Sequence, residues 1–143
     1  MVELDAIKTE LITYEAPLAE MKLSLALDAK AERVQELERE MEAPGFWDDT
    51  ERSQAYMKEL KNLKDCIEIY RELETGYEDI QMLLEMGYEE NDASMVADIQ
   101  KEFDEFKEKF EKLRISTLLS AEFDKCNAIL KLNAGAGGTE SCD

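Results

Sequence analysis

The residues of this chain that could do chemistry are its carboxylates, its cysteines and one glycine run. It carries 35 Asp and Glu against 17 Lys and Arg, and no histidine. Without histidine, Ser-His and Cys-His pairs, the usual zinc ligand and the commonest general base are all missing. Carboxylates can still act as acid/base pairs or hold a divalent ion, but only when several are kept close in a shielded pocket. No spacing marks such a set, and acids spread along periodic segments read as solvated helix faces. Cys66, Cys126 and Cys142 are odd in number and widely separated. They make neither a metal-type pair nor a disulfide framework and read as reduced thiols. Gly135, Gly137 and Gly138 stand before Thr139 and Glu140, as in a phosphate cradle. The Walker lysine and the dinucleotide spacing are both absent. The expectation is a chain with no catalytic, cofactor-binding or metal-binding residue, and hence no enzyme.

Charge narrows the partners. The formal net charge is -18, yet 44% of residues are hydrophobic and only two are Pro, so the composition is that of a folded chain. Such a field repels a phosphate backbone and attracts basic protein surfaces. Direct nucleic-acid binding is therefore not expected. No apolar run reaches the length of a membrane span. Glu3, Asp5 and Glu10 near the start are unlike a secretory signal, and the expected location is the cytoplasm.

The elements follow from apolar periodicity. Leu4, Ile7, Leu11, Tyr14, Leu18, Met21 and Leu25 recur in alternating steps of three and four, which is a heptad seam. Pro17 lies within it and predicts a kink or break near Glu15 or Ala16. A second helix is expected from Asp28, its N-cap, to about Glu42, with Val34, Leu37 and Met41 inward. Pro44 and Gly45 end it. Trp47 is expected to staple the corner onto a third helix opened by Asp48 or Asp49, with Asp48 and Glu51 placed as a capping box. That helix carries Tyr56, Leu60, Leu63, Ile67, Tyr70, Leu73, Tyr77, Ile80 and Leu84, and is expected to run to Met86. Gly87 to Asp92 is the expected turn, with Asn91 or Asp92 as the next cap. Val96, Ile99, Phe103, Phe106, Phe110 and Leu113 mark a fourth helix, whose phenylalanines should face the tyrosines of the third. The fold class predicted is mainly α: an antiparallel helical bundle with a long coiled-coil-like hairpin. Cys126 to Leu132 then reads as a strand, followed by the glycine turn Gly135 to Gly138. A lone strand needs a partner. The expected division is a helical domain over 1–120 and the truncated start of an α/β domain over 121–143.

Two stretches resemble a known family. Asp28, Lys30, Arg33, Leu37, Glu38, Met41, Pro44, Phe46, Trp47 and Asp48 are similar to the N-terminal domain of bacterial class-one peptide chain release factors of the second type. Leu130 to Glu140 resembles the strand and glycine loop that open that family's codon-reading domain. The resemblance implies translation termination at UGA or UAA, with peptidyl-tRNA hydrolysis catalysed by the ribosome. The family's Gly-Gly-Gln and Ser-Pro-Phe motifs do not occur in these 143 residues, and Gly138 is followed by Thr139 rather than Gln. The chain would then be an arm that contacts the ribosome and has no release activity alone. Residues 68–92 hold nine carboxylates and Arg71 as their one base, and read either as a solvated face or as an acidic tip. The resemblance implies docking of that tip at the stalk base, on a basic ribosomal protein, with an indirect effect on the GTPase release factor. Competing readings are a free-standing acidic coiled-coil adaptor, a carboxylate hydrolase using a divalent ion, and a related ribosome-rescue factor.

Overall fold

The computed structural model describes residues 2–119, which are helical almost throughout. Five α-helices follow in order among them: α1 Val2–Ile12, α2 Glu15–Ser24, α3 Leu27–Met41, α4 Thr50–Glu90 and α5 Met95–Leu119. A 3-10 turn, Phe46–Asp48, links α3 to α4. The expected strand Cys126 to Leu132, the glycine turn and the domain start at 121 lie outside the described residues.

The heptad seam is the inner face of α1 and α2. Leu4, Ile7, Leu11, Leu18, Met21 and Leu25 are all buried, and Tyr14 is half-buried. The break falls earlier than expected. The Thr13 and Tyr14 amides donate to the carbonyls of Glu10 and Leu11 at 3.1 and 3.0 Å, which ends α1 in a tightened turn. Pro17 thereby enters the first turn of α2, where its missing amide has no intrahelical role.

The start of α3 corrects the reading of Asp28 as its cap. Ala26 takes the capping position with φ 53°, and its side chain bonds nothing. Lys30 Nζ donates instead to the Leu25 carbonyl at 2.6 Å, satisfying the end of α2. Asp28 sits inside the first turn, where the helix dipole favours it.

At the next corner Asp49, not Asp48, caps α4, accepting the Arg52 amide at 3.1 Å. The capping box of Asp48 and Glu51 is not formed, because Asp48 is spent in the 3-10 turn that Gly45 permits at φ 81°. The stapling residue is also different. Phe46 is buried and meets Tyr56 edge-on at 5.0 Å, while Trp47 is 55% exposed. The Arg52 guanidinium lies over both Phe46 and Tyr56, at 5.3 and 5.2 Å. Trp47→Ala is therefore expected to shift stability by no more than about 0.5 kcal/mol, and Phe46→Ala to lower it by about 3 kcal/mol, in urea titrations.

The long helix α4 continues past Met86 to Glu90. Gly87 is not the turn. It is a buried helical residue, and a Cβ there would stand 2.9 Å from a Leu4 methyl. Its lack of a side chain lets α1 approach α4. Asn91 at φ 50° ends the helix, and Asp92 accepts the Ser94 amide at 2.9 Å. With 41 residues, α4 is a rod of about 60 Å.

Contacts fall along α4 as they rise along α5. Gly87 adjoins Ile99, and both Gly76 and Tyr77 adjoin Phe106. The phenylalanines only partly meet the tyrosines of α4. Tyr14, at the α1–α2 break, takes Phe103, Phe106 and Phe110 edge-on at 6.0, 5.4 and 5.1 Å. The Tyr70 hydroxyl donates to the Leu18 carbonyl at 2.9 Å, tying α4 to α2. Cys66 is buried in the same core, and Cys126 and Cys142 lie outside the described residues.

Burial, with the Glu74 carboxylate adding, pushes the Tyr70 phenol up to about 12. A raised folded pKa favours the neutral form, so this contribution is complete below the unfolded value of about 10 and lost as pH rises from there through about 12. Tyr14 and Tyr77 shift the same way, chiefly through burial. Thermal melts followed by circular dichroism should show stability falling across that alkaline window. Tyr70→Phe should flatten the fall, while costing about 1 kcal/mol at neutral pH through the lost bond to Leu18.

Candidate functional surface at the acidic end of α4

The distal half of α4 gathers charge by helical geometry. Its buried side, Tyr70, Leu73, Ile80, Leu84 and Gly87, faces α1, α2 and α5. The intervening positions face water. Glu68, Glu72, Glu78, Asp79, Glu85, Glu89, Glu90 and Asp92 are exposed, and Glu74 is half-buried. Arg71, the base of this stretch, reaches Glu68 at 4.0 Å, at the near edge of the cluster.

The other half of α4 is different. There acid–base pairs bridge α3 and α4. Arg33 holds Glu59 with two hydrogen bonds, at 2.8 and 3.2 Å. Lys64 meets Glu38 at 2.9 Å, and Arg52 and the Tyr56 hydroxyl converge on Glu40 at 3.4 and 2.8 Å. The hydrogen bond from Arg33 holds the Glu59 carboxyl below its ordinary range. The field of α4 therefore grows along its length, from compensated to strongly negative.

The tip is braced rather than loose. The Tyr88 hydroxyl donates to Asp5, and that bond to the carboxylate pushes the phenol up. Lys8 lies 5.7 Å from the centre of the Tyr88 ring. Asp92 accepts both the Ser94 hydroxyl and amide, at 2.6 and 2.9 Å, and these bonds hold its carboxyl low. Asp5 and Asp92 thus have fixed positions beside the exposed acids of α4.

Nothing in this arrangement concentrates carboxylates into a shielded pocket. The concavity between α2 and α4, about 320 Å³, is open to solvent; Glu15, Glu74 and Glu78 share it with Lys22 and Tyr77. Among the described residues no cluster of His, Cys, Asp and Glu could hold a metal ion. No described helix is long and apolar enough to cross a membrane. The glycine run Gly135, Gly137 and Gly138, with Thr139 and Glu140, lies outside the described residues.

The acidic stretch was legible in the sequence, but two features of α4 were not. One is Arg52, whose place one turn before Tyr56 was the available signal for the corner clamp. The other is Met82 and Met86, apolar residues that belong to no inward stripe and stand 61% and 43% exposed among the acids.

Comparison with known proteins gives these features a family. Peptide chain release factor 2 of Staphylococcus saprophyticus is 37% identical over 142 residues, covering 99% of this chain and 38% of the relative. The Haemophilus influenzae factor of the same name is 34% identical over 143 residues, covering the whole chain and 39% of its own length. That of Colwellia psychrerythraea is 41% identical over 119 residues, 83% of this chain and 33% of the relative. The chain thus spans about two fifths of the length of such relatives. The PCRF domain model matches residues 30–143, which takes in most of α3 and all of α4 and α5. The chain belongs to the PCRF domain family.

Proposed function

We propose that this chain is the helical arm of a stop-codon-dependent peptide chain release factor that acts in translation termination at UGA or UAA. The similarity to release factor 2 relatives along its whole length carries this reading. In it, α4 and α5 work as an antiparallel, coiled-coil-like hairpin projecting from a helical domain over 1–120. Residues 121–143 open the α/β codon-reading domain with the strand Cys126 to Leu132. Peptidyl-tRNA hydrolysis belongs to the ribosome and to motifs outside these residues, so the arm is not an enzyme. It works in the cytoplasm.

The arm's task is contact. Its uncompensated carboxylates over 68–92 suit a basic ribosomal protein at the stalk base, and they disfavour RNA. Docking there sets the factor's position and, indirectly, its dealings with the GTPase release factor.

Stop-programmed ribosomes carrying labelled peptidyl-tRNA test the division of labour. The chain alone should release no peptide above the rate without factor. Release by the chain alone would overturn the proposal.

A further inference from the structure

Met82 occupies the middle of the solvent side of distal α4, opposite the buried Leu73, Ile80 and Leu84. On a helix its neighbours are the residues three and four places away. These are Glu78, Asp79, Glu85 and Met86. Met86 in turn adjoins Glu89 and Glu90 on its far side. Two long apolar side chains therefore form one exposed ridge inside a ring of carboxylates.

A purely solvating helix face has no use for such a ridge, and charge alone does not require it. Methionine is unbranched and polarisable, so it fills irregular apolar pockets on a partner. Interfaces are enriched in it, and their centres are apolar while their rims are polar. The ring of acids supplies such a rim, and a shell of this kind keeps water from the central contact. A phosphate backbone would be repelled by the ring and offers no pocket for thioethers.

We infer that Met82 and Met86 are the anchor of the acidic surface, and that its partner is a basic protein surface with an apolar groove bordered by Lys or Arg. The inference rests on the docking role proposed above and adds which side chains carry the affinity. The acids steer the encounter and the methionines hold it.

The test compares three variants of the chain for binding to purified large ribosomal subunits over a salt series. The first is Met82→Ser with Met86→Ser, and the second is Met82→Leu with Met86→Leu. The third is Glu78→Gln, Asp79→Asn, Glu85→Gln and Glu89→Gln together. All the altered side chains are exposed, so melting curves should stay close to that of the parent chain. The serine variant should bind about tenfold more weakly at every salt concentration, with its salt slope unchanged. The leucine variant should stay within about threefold of the parent. The amide variant should lose both affinity and salt slope. Unaltered binding by the serine variant beside a weakened amide variant would overturn the anchor and leave the docking role standing. Unaltered binding by both would overturn the two together. Equal loss in the serine and leucine variants would also reject an apolar anchor. So would equal binding of the parent chain to protein-free ribosomal RNA.

Discussion

Phe103→Ala is expected to destabilise the helical arm by about 4 to 5 kcal/mol, the upper end for truncating a buried aromatic. Phe103 is completely buried, and it joins the elements that would otherwise separate. It lies between α5 and the α1–α2 corner, edge-on to Tyr14 at 6.0 Å and stacked on Phe106 at 6.4 Å. Lys107 covers its outer side, 4.5 Å from the ring centre. Truncation would remove the ring's burial and its aromatic contacts and leave a cavity that stiff helices cannot collapse to fill. A domain of this size has on the order of 5 to 15 kcal/mol in total, so the variant should be partly unfolded near 37 °C. Urea denaturation followed by circular dichroism measures it. Phe103→Leu, which keeps most of the volume, should cost about 1 to 2 kcal/mol. Similar losses in both variants would mean that the ring is not the keystone of this contact.

The second large effect concerns binding. Changing Glu78, Asp79, Glu85 and Glu89 to Lys should weaken association with large ribosomal subunits by about 100-fold or more at low salt. It should also abolish or invert the dependence on ionic strength. These side chains are exposed, and no ion pair formed within the described residues is lost with them. The fold should therefore survive, and relief of self-repulsion offsets any loss. Retained affinity with an unchanged salt slope would remove the acidic end from the contact.

The seams were legible because a heptad pattern encodes which side of a helix is inward. Leu4, Ile7, Leu11, Leu18, Met21 and Leu25 needed only counting, and all are buried. Positions where two rules compete were harder to read. Asp28 is a good cap by type, but Lys30 reaching the Leu25 carbonyl and a left-handed Ala26 settle the α2–α3 junction differently. Gly87 has the composition of a turn, yet it serves a close helix approach that only Leu4, 83 positions away, makes visible. Phe46 and Trp47 are adjacent and alike in chemistry. Which of them turns inward depends on the 3-10 turn, whose geometry no periodicity announces.

The acidic surface was legible as composition, since nine carboxylates beside one arginine over residues 68–92 can be counted. Its shape was not. The contrast between compensated and uncompensated halves of α4 comes from pairs made across helices, Arg33 with Glu59 and Lys64 with Glu38. Those partners are 26 positions apart in each case, so local charge patterning does not reveal them. Met82 and Met86 carried a weak local signal, as apolar residues out of phase with the inward stripe.

On the proposed function, the negatively charged helical arm recognises protein and not RNA. The most direct measurement is the affinity of the unaltered chain for large ribosomal subunits and for protein-free ribosomal RNA, each across a salt series. Binding to the subunits alone, weakening steadily as salt screens it, is the predicted result. Binding to the bare RNA as tight as to the subunits, or subunit binding indifferent to salt, would contradict it.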